Sequence, residues 1–150
     1  MTYDEARSRL AALAGAEVAD GGPPLVVNVE TASWAACADF ARDAIGCRFF
    51  SFLTAVDHKD DGLEVVAWVE NVDHNISLML KTKLGSGVSS CPSFFPAYRG
   101  ADWMERECYD MFGIRFDGHP DLRRILLPDD WEGFPLLKSY DVDTPYPPYR

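Results

Sequence analysis

The sequence predicts an α+β fold, close to an α/β sandwich, in which a four-stranded antiparallel or mixed sheet is covered by helices and followed by an extended C-terminal arm. Three features predict it. Two N-terminal stretches repeat apolar residues at helical spacing, and the middle of the chain holds three strand-like runs separated by short polar loops. The last twenty or so residues are too rich in proline to join either layer. At 150 residues the chain fits one domain with a true core, and a hydrophobic content of 47% excludes disorder as a description of the whole. The expected division is a domain over residues 1–127 and an assembly arm over residues 128–150.

The elements follow in order. Thr2 with Glu5 makes a capping box, and Ala6, Leu10, Leu13 and Ala14 repeat on one face, so a first helix is expected to reach about Gly15. Gly21 to Pro24 is a turn, and the β-branched run Leu25 to Val29 is a strand. Thr31 or Ser33 is placed to cap a second helix carrying Trp34, Cys37, Phe40 and Ala41, which Gly46 closes. Arg48 to Val56, Leu63 to Val72 and Ile76 to Leu84 form an antiparallel meander, with hairpin loops at 57–62 and 73–75. In the last of these Ile76, Leu78 and Leu80 alternate with Ser77, Met79 and Lys81, the mark of a sheet with one covered face. Residues 85–96 read as a connector with at most a short helical turn. Asp102, with Glu105 three residues on, repeats the capping pattern for a helix from Trp103 to Phe112 that Gly113 ends. Pro120 is placed to start a further helical turn through Leu126.

Composition removes several function classes. A net charge of −10 is wrong for a nucleic-acid surface and for docking on anionic lipid. No apolar run approaches the roughly 20 residues of a membrane-spanning helix, and the polar N-terminus lacks the apolar core of a signal peptide, so a cytoplasmic chain is expected. Cys37, Cys47, Cys91 and Cys108 are widely spaced, without the pairing that a zinc or iron–sulfur site needs, and are expected to be buried free thiols.

The densest mixture of charges and aromatics lies between Ala101 and Lys138. A hydrolase could use Glu105 and Glu107 as paired carboxylates with His119 as base. Two residues apart on a helix is about 200° around its axis, however, so the two carboxylates point away from each other. Each is better placed to meet its own arginine among Arg106, Arg115, Arg123 and Arg124, pinning this segment to the helix. His119, between Gly118 and Pro120, reads as a hydrogen-bonding pin, while His58 and His74 fall in hairpin loops. In the arm, Trp131, Phe134, Leu137, Tyr140, Tyr146 and Tyr149 offer large apolar surfaces that the prolines prevent from folding inward, so an outside groove is expected to receive them.

The spacing of Glu105-Arg106-Glu107, Asp110, Met111-Phe112, His119, Arg123, Ile125 and Leu126 resembles the signature of the C-subunit family of proton-pumping NADH:quinone oxidoreductase, respiratory complex I. Arg123 to Gly133, RRILLPDDWEG, continues the likeness, and the layout of residues 2–127 is compatible with the family's α/β domain. The resemblance makes Glu105, Arg106, Glu107, Asp110, His119, Arg123 and Arg124 family-signature residues. It implies a hydrophilic member of the peripheral arm on the cytoplasmic side of the membrane, with no cofactor of its own. Iron–sulfur clusters and flavin would sit on partner subunits. It also implies packing against the iron–sulfur B-subunit and the quinone-site D-subunit, with the C-terminal segment running along the latter. After Gly133 the chain departs from the family's usual His-Pro-Leu-Arg-Lys-Asp-Tyr-Pro, reading Phe134-Pro135-Leu136-Leu137-Lys138-Ser139-Tyr140-Asp141. That change leaves related parents open, such as a coenzyme F420-dependent dehydrogenase or a membrane-bound hydrogenase.

Overall fold

A computed structural model describes residues 1–143. Its elements are α1 (Tyr3–Ala11), β1 (Ala16–Val18), β2 (Leu25–Val29), α2 (Trp34–Asp43), β3 (Phe49–Asp57), β4 (Leu63–Asn71), β5 (Ile76–Gly85), β6 (Ser90–Pro92), α3 (Ala101–Phe112) and β7 (Arg115–Asp117). The main sheet is mixed and five-stranded, in the order β1-β2-β5-β4-β3, where β2 and β5 run parallel and the other neighbours antiparallel. It is α+β as expected, with one strand more than the four read from the sequence. The added strand, β1, is three residues long and lies on the sheet edge against β2. Three residues leave too little alternation for a pattern to register.

The core forms on one face. Val27, Leu78, Leu80, Val65, Ala67 and Leu53 point to it from four strands, and Ala6 and Leu10 of α1 with Trp34, Cys37 and Ala41 of α2 close it. The capping box of Thr2 and Glu5 is present, but α1 stops at Ala11 rather than near Gly15. Neither Thr31 nor Ser33 caps α2 through its side chain; these residues form a short 3₁₀ turn. The Thr31 hydroxyl instead bonds Thr82 of β5, at 3.1 Å, and so ties the helix entrance to the sheet.

Two further departures position the site. The connector after β5 contains β6, which pairs in parallel with β7 in a separate two-stranded ladder, Cys91 opposite Phe116. The segment 120–126 is not helical; the N–H groups at its end, those of Ile125 and Leu126, are taken up by a side chain of α3, described below. The helix α3 lies along the edge strand β3, where the Leu53 N–H donates to Met104 Sδ at 3.1 Å. A sheet edge that would otherwise be open is thereby covered. Among the described residues no helix is long and apolar enough to cross a membrane.

Candidate functional site

The helix α3 buries Ala101, Glu105, Cys108 and Phe112 on one stripe, with Arg106 and Asp110 beside it. Its N-cap is Gly100, without a side-chain cap bond, so the expected Asp102–Glu105 capping box does not form. Asp102 is already inside the helix, and its carboxylate lies 3.0 Å from His119 Nε2. Glu105 is fully buried; it accepts from the Ser93 hydroxyl at 2.6 Å and from the Phe94 N–H at 2.5 Å. Burial pushes its carboxyl up to about 7, against the lowering effect of those two donors. Among the described residues no arginine meets it, which corrects the expected Glu105 ion pair. Its task is to fasten the turn after β6 onto α3.

The arginines do other work. The Arg106 guanidinium donates to the backbone carbonyls of Arg123 and Arg124, at 3.1 Å each. Arg124 pairs with Asp110, Nη1 to Oδ1 at 2.7 Å, with the Asp110 carboxylate fully buried. The second Asp110 oxygen accepts from three successive N–H groups, those of Ile125, Leu126 and Leu127, at 2.8 to 3.2 Å. Burial would raise the Asp110 carboxyl, but these backbone donors and Arg124 outweigh it and hold it below the usual carboxylate range. Two of these N–H groups, those of Ile125 and Leu126, are ones that a helical turn ending at Leu126 would have used. Arg123 pairs with exposed Asp121 and Arg115 with exposed Asp117. Glu107 is exposed and forms no ion pair among the described residues, contrary to the expected arginine partner.

His119 is a pin, as its place between Gly118 and Pro120 suggests. Its buried ring accepts the Asp121 N–H at Nδ1, so Nε2 carries the proton and donates toward the Asp102 carbonyl and carboxylate. Glu105 and Glu107 leave α3 on opposite sides, one buried and one exposed.

The described part of the arm is held at home. Arg124 Nη2 donates to the carbonyls of Trp131 and Gly133, at 3.0 and 3.1 Å, and its guanidinium lies over the Phe134 ring. The Leu136 N–H reaches the Met111 carbonyl, and the Lys138 N–H reaches the Asp57 carboxylate at 2.7 Å. Trp131, Phe134, Leu137 and Tyr140, expected to need an outside groove, are already half-buried within this chain. Phe134 fits because Gly113, at φ +74° in the left-handed region, has no side chain; a Cβ there would stand 2.8 Å from the ring. Leu136 remains exposed, and Tyr146 and Tyr149 lie outside the described residues. A cleft of about 650 Å³ separates the arm from the loop after β3, with Leu63, Phe112, Phe134 and Leu137 on its apolar side and Asp57 and Lys138 at its rim.

Ser93, Asp57 and Gly113 are the partners that sequence reading misses. Of these Gly113 carries a signal as the helix end, but nothing marks its contact with Phe134. The four cysteines are buried and free. Burial pushes the Cys37 and Cys47 thiols up to about 12 and raises those of Cys91 and Cys108 as well. Among the described residues no three His, Cys, Asp or Glu side chains are grouped to hold a metal ion.

Residues 27–146 match the family described as the 30 kDa subunit of respiratory-chain NADH dehydrogenase. The chain belongs to that family. The C-subunit of NADH-quinone oxidoreductase from Chlorobium phaeobacteroides is 37% identical over 150 aligned residues, spanning 96% of this chain and 89% of that protein. A C/D-subunit of the same oxidoreductase from Bdellovibrio bacteriovorus is 42% identical over 106 residues, which are 71% of this chain and 18% of the longer protein. A chain of the membrane-bound sulfane sulfur reductase, an archaeal respiratory membrane complex, superposes with a TM-score of 0.76 over 93% of this chain and 85% of its own length. At 24% identity that likeness is one of fold. In this chain Glu105, Arg106, Asp110, His119 and Arg124 are internal fastenings that tie α3 to the turn after β6, the segment after β7 and the start of the arm.

Proposed function

We propose that this 30 kDa-family chain is a structural component, without cofactor, of the quinone-reducing peripheral arm of a proton-pumping NADH:quinone oxidoreductase. It sits on the cytoplasmic side of the membrane and packs against the quinone-site and iron–sulfur subunits. The flavin and iron–sulfur clusters that carry electrons from NADH belong to its partners, and this chain holds those partners in register.

One observation carries the reading. Relatives named as C/D-subunits join a segment like this chain to a much longer remainder in one polypeptide, and a fusion of that kind is expected where two parts work side by side. The charged cluster supports it as well, since Glu105, Arg106, Asp110, His119 and Arg124 all fasten parts of this same chain.

The test is purification of the tagged chain from its own membranes. Stoichiometric recovery of the iron–sulfur and quinone-site subunits, with NADH:quinone activity lost on deletion of the gene and restored by its return, is the expected result. Recovery of the chain alone with unchanged quinone reduction in the deletion strain overturns the proposal. Elemental analysis and an absorption spectrum of the isolated chain should show neither stoichiometric metal nor a flavin band.

A further inference from the structure

The side chains that fasten residues 119–127 to α3 also hold an apolar pair outward. Arg106, three residues beyond Trp103, donates to the Arg123 and Arg124 carbonyls, and Asp110, one turn further on, accepts the Leu126 N–H at 2.8 Å. A segment with neither helix nor strand is thus pinned along one side of the helix. Residues 103, 106 or 107 and 110 share one side of a helix, so the bond to Asp110 brings Leu126 to the ridge that Trp103 and Glu107 occupy. Trp103 is 70% exposed and Leu126 63%. Between them Glu107 is exposed and in no ion pair among the described residues.

The charges around this pair are unbalanced. Arg106 and Arg124 are turned inward, onto backbone carbonyls and Asp110. Arg123 is exposed, but it already pairs with Asp121 at 2.9 Å, and Asp129 and Asp102 act on it as well. Arg99, before the start of the helix, lies over the Phe95 ring. The four carboxylates of Asp102, Glu107, Asp121 and Asp129 therefore stand against the two exposed guanidiniums of Arg99 and Arg123. Even with His119 beside Asp102, Glu107 and Asp129 are left without a counter-charge among the described residues.

We propose that Trp103, Glu107 and Leu126 form a docking surface for a basic segment of a neighbouring subunit, whose apolar side chains cover Trp103 and Leu126 while a lysine or arginine pairs with Glu107. Charge complementarity selects the basic occupant, and it disfavours a second copy of this chain, whose net charge of −10 would set acid against acid. Trp103 and Leu126 select a protein segment over a small cation, which could neutralise Glu107 but would leave the apolar pair wet. Because the buried bonds of Arg106 and Asp110 already fix the backbone that carries Leu126, little further order is lost when a partner binds. The inference rests on the assembly reading above and gives it a contact outside the arm.

The test uses the assembled complex, purified through this chain. The variants W103S/L126S and E107K change only exposed side chains, so each should keep the melting temperature of the isolated chain yet retain at least about tenfold less of the partner subunits through a salt wash. In a second arm Leu126→benzoylphenylalanine is illuminated in the complex, and the crosslinked peptides are identified by mass spectrometry. A peptide of another subunit with a net positive charge is the expected product. Normal retention by both variants, crosslinks confined to this chain or to a second copy of it, or a partner peptide of net negative charge overturns the docking surface while leaving the assembly reading intact. If the wild-type chain brings down no other subunits, the assembly reading itself fails and this one with it.

Discussion

Asp110 on α3 and Arg124 beyond β7 meet at 2.7 Å in the most buried ion pair among the described residues, and each then grips backbone that the other does not reach. Asp110 gathers the N–H groups of Ile125 to Leu127, and Arg124 gathers the carbonyls of Trp131 and Gly133. The pair therefore converts fourteen residues of sequence separation into a joint between the helix and the base of the arm.

Asp110→Asn is expected to destabilise the isolated chain strongly. The variant keeps one oxygen for the backbone donors but leaves Arg124 buried without its anion, and breaking such a pair typically costs about 3–5 kcal/mol. Urea unfolding checks this. A loss under about 1 kcal/mol would mean that the joint contributes little, as exposed pairs do.

The two buried carboxyls of α3 should give stability opposite pH dependences. Asp110 is held below its ordinary value, so its contribution is present at neutral pH and is lost as pH falls through the folded value. Glu105 is raised from 4.5 to about 7, so the folded chain binds a proton that the unfolded chain releases between those values. Stability should then decline as pH rises across that window, by on the order of 3 kcal/mol, and level off above it. Glu105→Gln keeps an oxygen for the Phe94 N–H and removes the titration. Chemical denaturation of both proteins from about pH 4.5 to 8 should show the decline in wild type and its absence in the variant; parallel curves would place the proton elsewhere.

Glu107→Gln should be nearly silent in the isolated chain. The side chain is exposed and forms no ion pair among the described residues, and surface substitutions of this kind usually stay within about 0.5 kcal/mol. Thermal unfolding checks it directly. A clear fall in melting temperature would restore the arginine partner that its place in the signature suggests.

These residues also show where sequence reading stops. The helix from Ala101 to Phe112 and its end at Gly113 are legible because apolar spacing and a terminal glycine are local signals. Which charge meets which is not local. Asp102 has the chemistry of a cap, but Gly100 occupies that position and frees the carboxylate for His119, seventeen residues on. Glu105, expected to find an arginine, is paired with Ser93 in a connector that reads as featureless, because β6 has three residues and one is proline. The arm departs from expectation for a related reason. Prolines do forbid a helix or central strand, but Leu136, Lys138 and the carbonyl of Gly133 dock through single hydrogen bonds that need neither.

The contact between Gly113 and Phe134 tests that docking in isolation. Gly113→Ala would place a side chain in the left-handed region, at about 1–2 kcal/mol, and drive its Cβ to 2.8 Å from the Phe134 ring. If residues 131–140 pack on the domain in solution, the ring must shift, adding about 1–3 kcal/mol of overpacking strain. Phe134→Ala in the same background removes the obstacle, so the two substitutions together should destabilise by less than the sum of their separate effects. A double-mutant cycle by urea unfolding reads that coupling, expected at about 1 kcal/mol or more, within the range of about 0.5–3 kcal/mol seen for residues in contact. Strict additivity would mean that the ring leaves its seat when no partner is present, and that the arm is free for assembly after all.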